Sequence, residues 1–190
     1  MKRILFAILI SVFTIALHAQ EALSPTIKQG VKIHYTVTSG GGQEFPLLIS
    51  IDSLAPGYVK LGWNIEGMGA GGWVMKKNSL DNATRGWWNE PSAGNDVDIA
   101  DEQLVLLFSK AQWDAIAKDK KTEYDQQSFT VKEATEQQKL KINGKALNVI
   151  MLEGQNGSTR LWLLNNPLFP VIVKLEGGTM GVDLSLLSIE

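Results

Sequence analysis

Three stretches of strict alternation govern the first half of the chain. Val31, Ile33, Tyr35 and Val37 alternate with Lys32, His34, Thr36 and Thr38. Phe45, Leu47, Ile49 and Ile51 form a second set. Val59, Leu61, Trp63 and Ile65 form a third, with Lys60, Asn64 and Glu66 between them. A period of two puts one set of side chains on a buried face and the other in water, which is the signature of a half-buried strand. The breaks carry turn chemistry. Gly40-Gly41-Gly42 ends the first set, Pro56-Gly57 ends the second, and Gly67, Gly69, Gly71 and Gly72 surround Met68 after the third. Trp73-Val74-Met75 then opens a fourth strand.

The second half returns to the same grammar. Phe129 and Val131 share a face, and Leu140 and Ile142 run into Asn143-Gly144. Both residues of that pair tolerate positive φ, so it is a strong hairpin signal, and Leu147, Val149 and Met151 are expected to pair back. Asn156-Gly157 turns into the apolar run Leu161–Leu164, and Pro167 and Pro170 bound a bend. Val171, Val173 and Leu175 lead to Gly177-Gly178, and Val182, Leu184 and Leu186 close the series. Short strands at regular spacing predict a consecutive antiparallel meander of about ten strands. A single sheet of that length must curl strongly or close to manage its edges. The expected fold is therefore mainly β: a strongly curved antiparallel meander, a half-barrel or open barrel, with one or a few short helices.

One helix has a clear start. Ser109-Lys110-Ala111-Gln112 matches a capping box, and Trp113, Ile116 and Ala117 follow at helical spacing. A helix is predicted from Lys110 to Ala117, ending in solvent at Lys118–Lys121. The stretch from Asn78 to Asp101 has a period of neither 2 nor 3.6. It contains Trp87, Trp88, Pro91 and Gly94, and reads as a long loop with short helical or strand pieces. Loops this long inside a compact domain are often functional or mobile.

The amino terminus carries an address. Lys2 and Arg3 precede an uncharged run from Ile4 to Leu17, followed by His18-Ala19-Gln20. That is the pattern of a secretory signal peptide with cleavage after Ala19. The run is short of the roughly 20 apolar residues of a membrane span. The expected organisation is a signal peptide over 1–19 and a single β-rich domain over 20–190, periplasmic or secreted after cleavage. The chain has no cysteine. Thiol catalysis, thiolate metal sites and lipoprotein acylation are excluded, so no covalent membrane anchor is expected. The 18 basic and 20 acidic side chains, two of the basic ones inside the leader, make nucleic acid an unsuitable partner.

Reaction chemistry is sparse. His34 is the one histidine outside the leader and falls on a solvent-facing register. There is no G-x-S-x-G elbow. The glycines from Gly67 to Gly72 lack the Lys-Ser/Thr of a phosphate loop. Asp96, Asp98, Asp101 and Glu102 offer the hard oxygens that Ca²⁺ prefers, without the glycine and terminal glutamate of an EF-hand loop. A solvated acidic turn is the expected reading. No catalytic residue, metal ligand or cofactor is assigned. The length also suits a small outer-membrane barrel, but Lys60, Lys132, Lys141 and Lys174 interrupt the strands and the last strand ends on Ile189-Glu190.

Six tryptophans are the most unusual feature of the composition. Gly62-Trp63, Gly72-Trp73 and Gly86-Trp87-Trp88 recur close together. Trp63 belongs to the inward set with Val59 and Leu61, where it either fills a core or lines a ligand space. Trp87 and Trp88 lie in the irregular stretch, where indoles stack on a sugar ring, close a cavity mouth or staple the loop.

The signal peptide, the meander and a short helix between strands resemble the LolA-like periplasmic superfamily. The closing Pro-Val-Ile-Val-Lys-Leu-Glu-Gly-Gly from Pro170 and the segment Asp183–Ile189 are similar to the last hairpin of uncharacterised families in that group. The resemblance implies a half-barrel around helices or an apolar ligand such as acyl chains. It maps no functional residue onto this chain. The leading expectation is a periplasmic protein that binds a hydrophobic or lipid-like ligand, or a hydrophobic segment of an envelope partner. Trp63, Trp73, Met75, Phe108 and Trp162 are the expected lining residues. The alternatives are an interaction module with a solid core and a carbohydrate-binding module using Trp87 and Trp88.

Overall fold

The computed structural model describes residues 21–178 and 180–190; the expected leader lies outside them. Strands β1 (Lys32–Thr38), β2 (Glu44–Ala55), β3 (Tyr58–Ile65) and β4 (Gly69–Lys76) form a first antiparallel meander. Helix α1 (Lys77–Asn82) follows, then the short strands β5 (Arg85–Gly86), β6 (Asp96–Asp98) and β7 (Gln103–Leu104), then helix α2 (Lys110–Asp119). A second antiparallel series contains β8 (Lys121–Tyr124) and β9 (Gln127–Lys132). After a small hairpin of β10 (Lys141–Ile142) and β11 (Lys145–Ala146), it continues through β12 (Val149–Gly154), β13 (Arg160–Leu164), β14 (Ile172–Glu176) and β15 (Asp183–Ile189). β15 pairs with both β14 and β1, joining the two series into one 11-stranded sheet.

The alternation behaves as its period requires. Ile33, Tyr35 and Val37 are buried while Lys32 is exposed, and Val59, Leu61, Trp63 and Ile65 are buried together. The hairpin turn Asn143-Gly144 has φ of 50° and 76°. Its arms are only β10 and β11, however, and Val149 and Met151 do not pair back. They belong to β12, which lies between β9 and β13. Met151 and Leu152, neighbours pointing to opposite faces, are both buried, and such a run is stable inside a sheet rather than at the rim of a small hairpin.

The sheet is neither strongly curled nor closed. Its order runs β6-β4-β3-β2-β1-β15-β14-β13-β12-β9-β8, and no pairing joins β6 to β8. A different device serves in place of curling. The segment from Arg85 to Phe108 adds β6 to the sheet edge and lays its two flanking parts, around Trp87–Pro91 and Val105–Leu106, against one face. Trp87 bonds to Leu104 within the segment, Val105 N–H donates to the Met75 sulfur on β4 at 3.4 Å, and Leu106 C=O accepts from Ile172 on β14 at 2.7 Å. The edges themselves are short. β6 has three residues and pairs parallel to β4, and β8 has four, with Lys121 and Glu123 exposed, which discourages further strand addition.

Helix α2 runs two residues beyond its expected end. The Ser109 hydroxyl accepts from Gln112 N–H at 3.2 Å, and the Gln112 side chain accepts from Ser109 N–H at 2.9 Å, completing the capping box. The Gln112 amide then donates to Glu123 C=O at 2.6 Å, which fixes the buried side of α2 to β8. The stretch from Asn78 to Asp101 does hold short pieces: most of α1, then β5 and β6.

Candidate ligand cavity

An apolar cavity of about 330 Å³ lies between the sheet and the crossing segment. The sheet wall is built by inward residues of consecutive strands: Val37, Phe45, Leu47, Ile65, Trp73 and Leu184. These are the inward members of the period-two sets on β1, β2, β3, β4 and β15. The opposite wall is Trp87, Trp88, Glu90, Pro91, Val105 and Leu106. Met68, on the turn between β3 and β4, stands at the rim and is more than half exposed.

Two aromatic contacts order the region. Trp63 and Trp73 lie with ring centroids 5.9 Å apart, and Trp73 meets Trp87 edge-on at 5.5 Å. Among the described residues the indole N–H groups of Trp63 and Trp73 are buried without a hydrogen-bond partner. Such groups are uncommon in cores because each forfeits its bond to water. Trp88 is anchored differently. Its N–H donates to Asp125 at 2.7 Å, and the other Asp125 oxygen accepts from Gly86 N–H, also at 2.7 Å. Asp125 and Gln126 form the β8–β9 turn with φ of 48° and 62°. Gly86 must be glycine here: a Cβ would stand 2.4 Å from both the Trp88 nitrogen and the Tyr124 hydroxyl. The carboxylate thus straps the tryptophan pair to the far end of the sheet.

The backbone of the covering wall is strained at one point. Leu106 has φ of 54°, a left-handed conformation that a bulky residue rarely adopts. Bonds on both sides hold it there, Val105 to Met75 and Ile172 to Leu106. Strain of this kind collects at ligand clamps, where the surroundings over-determine it.

Of the five residues expected to line a ligand space, Trp73 alone touches this cavity. Trp63 stands one layer behind it, 2 % exposed and packed on the Trp73 ring. Met75 is fully buried and spends its sulfur on Val105. Phe108 stacks on Tyr124 with centroids 4.9 Å apart, and its outer edge borders a separate groove near Pro170. Trp162 lies on the other face of the sheet. It is next to the inward Leu161 and pairs with Lys174 and Met151, its N–H donates to Gln138 C=O at 3.1 Å, and the Lys174 ammonium sits 4.9 Å from its ring centre. The 3-10 turn over Glu136–Gln138 covers it there. Trp87 and Trp88, expected to stack on a sugar ring, close a cavity mouth or staple the loop, both line this cavity and are half-buried. Phe45 and Leu184 were visible as alternating residues, but nothing local tied them to a ligand.

The acidic turn points elsewhere. Asp96 pairs with Lys60 at 2.6 Å, Asp98 with Lys76 at 2.7 Å, and Asp101 accepts from Asn78. Each carboxylate is held toward its own partner rather than toward a shared centre. No protein-family model, curated protein or solved structure matches this chain.

Proposed function

We propose that this chain is an exported binding protein for a small hydrophobic or lipid-like ligand, taken into the space between the β1–β4 and β15 face and the Trp87–Pro91 segment. The observation that supports it is the cavity itself: about 330 Å³, walled almost wholly by apolar and aromatic side chains drawn from five neighbouring strands and the crossing segment. Concave, mostly apolar sites with a few polar groups are the ordinary form of a small-molecule site. The strap from Asp125 and the strained Leu106 fix the shape of the covering wall, which lowers the ordering cost of binding. The LolA-like resemblance belongs to this reading as an analogy of layout, an apolar inner sheet face partly covered by a crossing element. The half-barrel it implies is not needed for the cavity to form.

A neutral apolar dye such as Nile red tests the reading. The native protein is expected to bind it saturably, with a blue-shifted emission that disappears on unfolding. Val182→Trp fills the cavity from a half-buried wall position and is expected to abolish the binding while the protein still melts cooperatively. No saturable binding by the native protein would leave the second reading, a solid interaction module. That reading is favoured by the packed state of Trp63, Met75, Phe108 and Trp162.

A further inference from the structure

The cavity has a charge preference as well as an apolar wall. Its one charged lining residue is Glu90, which is exposed at the opening. Among the described residues, no lysine, arginine or histidine lines it. None is an immediate chain neighbour of a lining residue either, whereas Glu44, Glu66 and Asp183 are. Glu44 and Asp183 both face Thr38 in the strand register at the end of β1, on the face away from Val37, and Asp183 accepts from Gly177 N–H, so they add negative charge to the neighbourhood without lining the cavity; Glu66 follows Ile65 at the end of β3. The basic side chains nearest in sequence to the β3 and β4 walls are engaged elsewhere, Lys60 with Asp96 and Lys76 with Asp98, and Arg85, two residues before Trp87, is exposed and lies outside the lining. Trp87 and Trp88, three and two residues before Glu90, line the same cavity. Indole faces attract cations through their quadrupole, most strongly where water is displaced. A carboxylate at the rim adds attraction for a cation and repulsion for an anion.

Resting on the ligand-binding reading above, we infer that the cavity selects an amphiphile with a cationic, ammonium-type end, its hydrocarbon part against Val37, Leu47, Ile65 and Leu184 and its charged end at Glu90 and Trp87. An anionic amphiphile of the same chain length finds no counter-charge and meets the carboxylate. A neutral one gains the apolar contact alone.

The test compares three ligands of one chain length, each below its micelle concentration: dodecyltrimethylammonium, dodecanol and dodecanoate, followed by tryptophan emission and calorimetry at neutral pH. The expected order is cation, then neutral, then anion, with the first step about threefold to tenfold. Glu90→Gln is expected to narrow the cation-to-neutral ratio, and Trp87→Leu to narrow it further. Added salt should weaken the cation more than the alcohol. Dodecanoate binding as tightly as dodecyltrimethylammonium would overturn the inference while leaving the cavity as a ligand site. Failure of all three to bind would overturn the ligand-binding reading itself. An unchanged ratio in both variants would show that the preference, if seen, arises away from Glu90 and Trp87, and would also overturn the assignment.

Discussion

Tyr35 brings a hydroxyl into the fully buried face of β1 and donates it to Ile172 C=O on β14, 2.9 Å away. Burial pushes its pKa far above the ordinary tyrosine value, and Tyr124 is raised as well, by burial first and by the Asp125 carboxylate second. The folded state therefore holds both rings neutral. Their contribution to stability is complete below the unfolded pKa of about 10 and drains away as the pH rises beyond it toward the folded values. The urea midpoint is expected to fall above about pH 10. Tyr35→Phe should cost roughly 0.5–1.5 kcal/mol at neutral pH and flatten part of that alkaline fall. An alkaline limb identical in the variant would refute the assignment. Trp63 is a second residue whose effect follows from its place. Because it packs behind Trp73 and borders no void, Trp63→Ala should cost about 3–5 kcal/mol, the full penalty for emptying a core site. Trp87→Ala, at a half-buried wall beside existing space, should cost clearly less in the same thermal or urea unfolding series.

The β8–β9 hairpin owes its importance to one turn residue. Asp125 holds Gly86 and Trp88 with separate oxygens. Asp125→Asn keeps the side-chain shape and the tolerance for a left-handed turn but leaves one accepting oxygen. A loss of about 1–2 kcal/mol is expected, since bonds to a charged acceptor exceed neutral ones. Amide hydrogen exchange over residues 86–90 should quicken more than in β1 or β3; uniform quickening would mean that the strap is not local. This hairpin was also the least legible part of the sheet. Lys121, Thr122, Glu123 and Tyr124 alternate, but only two are apolar enough to notice, and Asp-Gln is an uncommon pair for two left-handed turn positions. β1, β2 and β3 were legible because each has a polar face in water and an apolar face inside. β13 was legible as a strand but not in its facing, because Leu161–Leu164 is buried on both faces and its period gives no direction; Trp162 lies on the face away from the cavity. The helix α2 start was readable from Ser109 and Gln112 because a capping box is local. The cavity was not readable, since its two walls come from strands and a crossing segment that meet only in three dimensions.

Across the whole molecule, the address and the architecture make separate demands. If the first nineteen residues are a signal peptide, intact-mass measurement of protein from an envelope fraction should give a chain beginning at Gln20; a full-length chain retained in membranes would refute that. The sheet adds a constraint in time. β1 is hydrogen-bonded to β2 on one side and to β15 on the other, and β15 follows every other strand in the chain. During synthesis at about 5–20 residues per second, the β1–β4 meander is complete on the order of ten seconds before β15 emerges. Throughout that interval the outer edge of β1 presents unpaired N–H and C=O groups, a template for any passing strand. The cell must keep this chain apart from its copies, or extended, until β15 has been delivered.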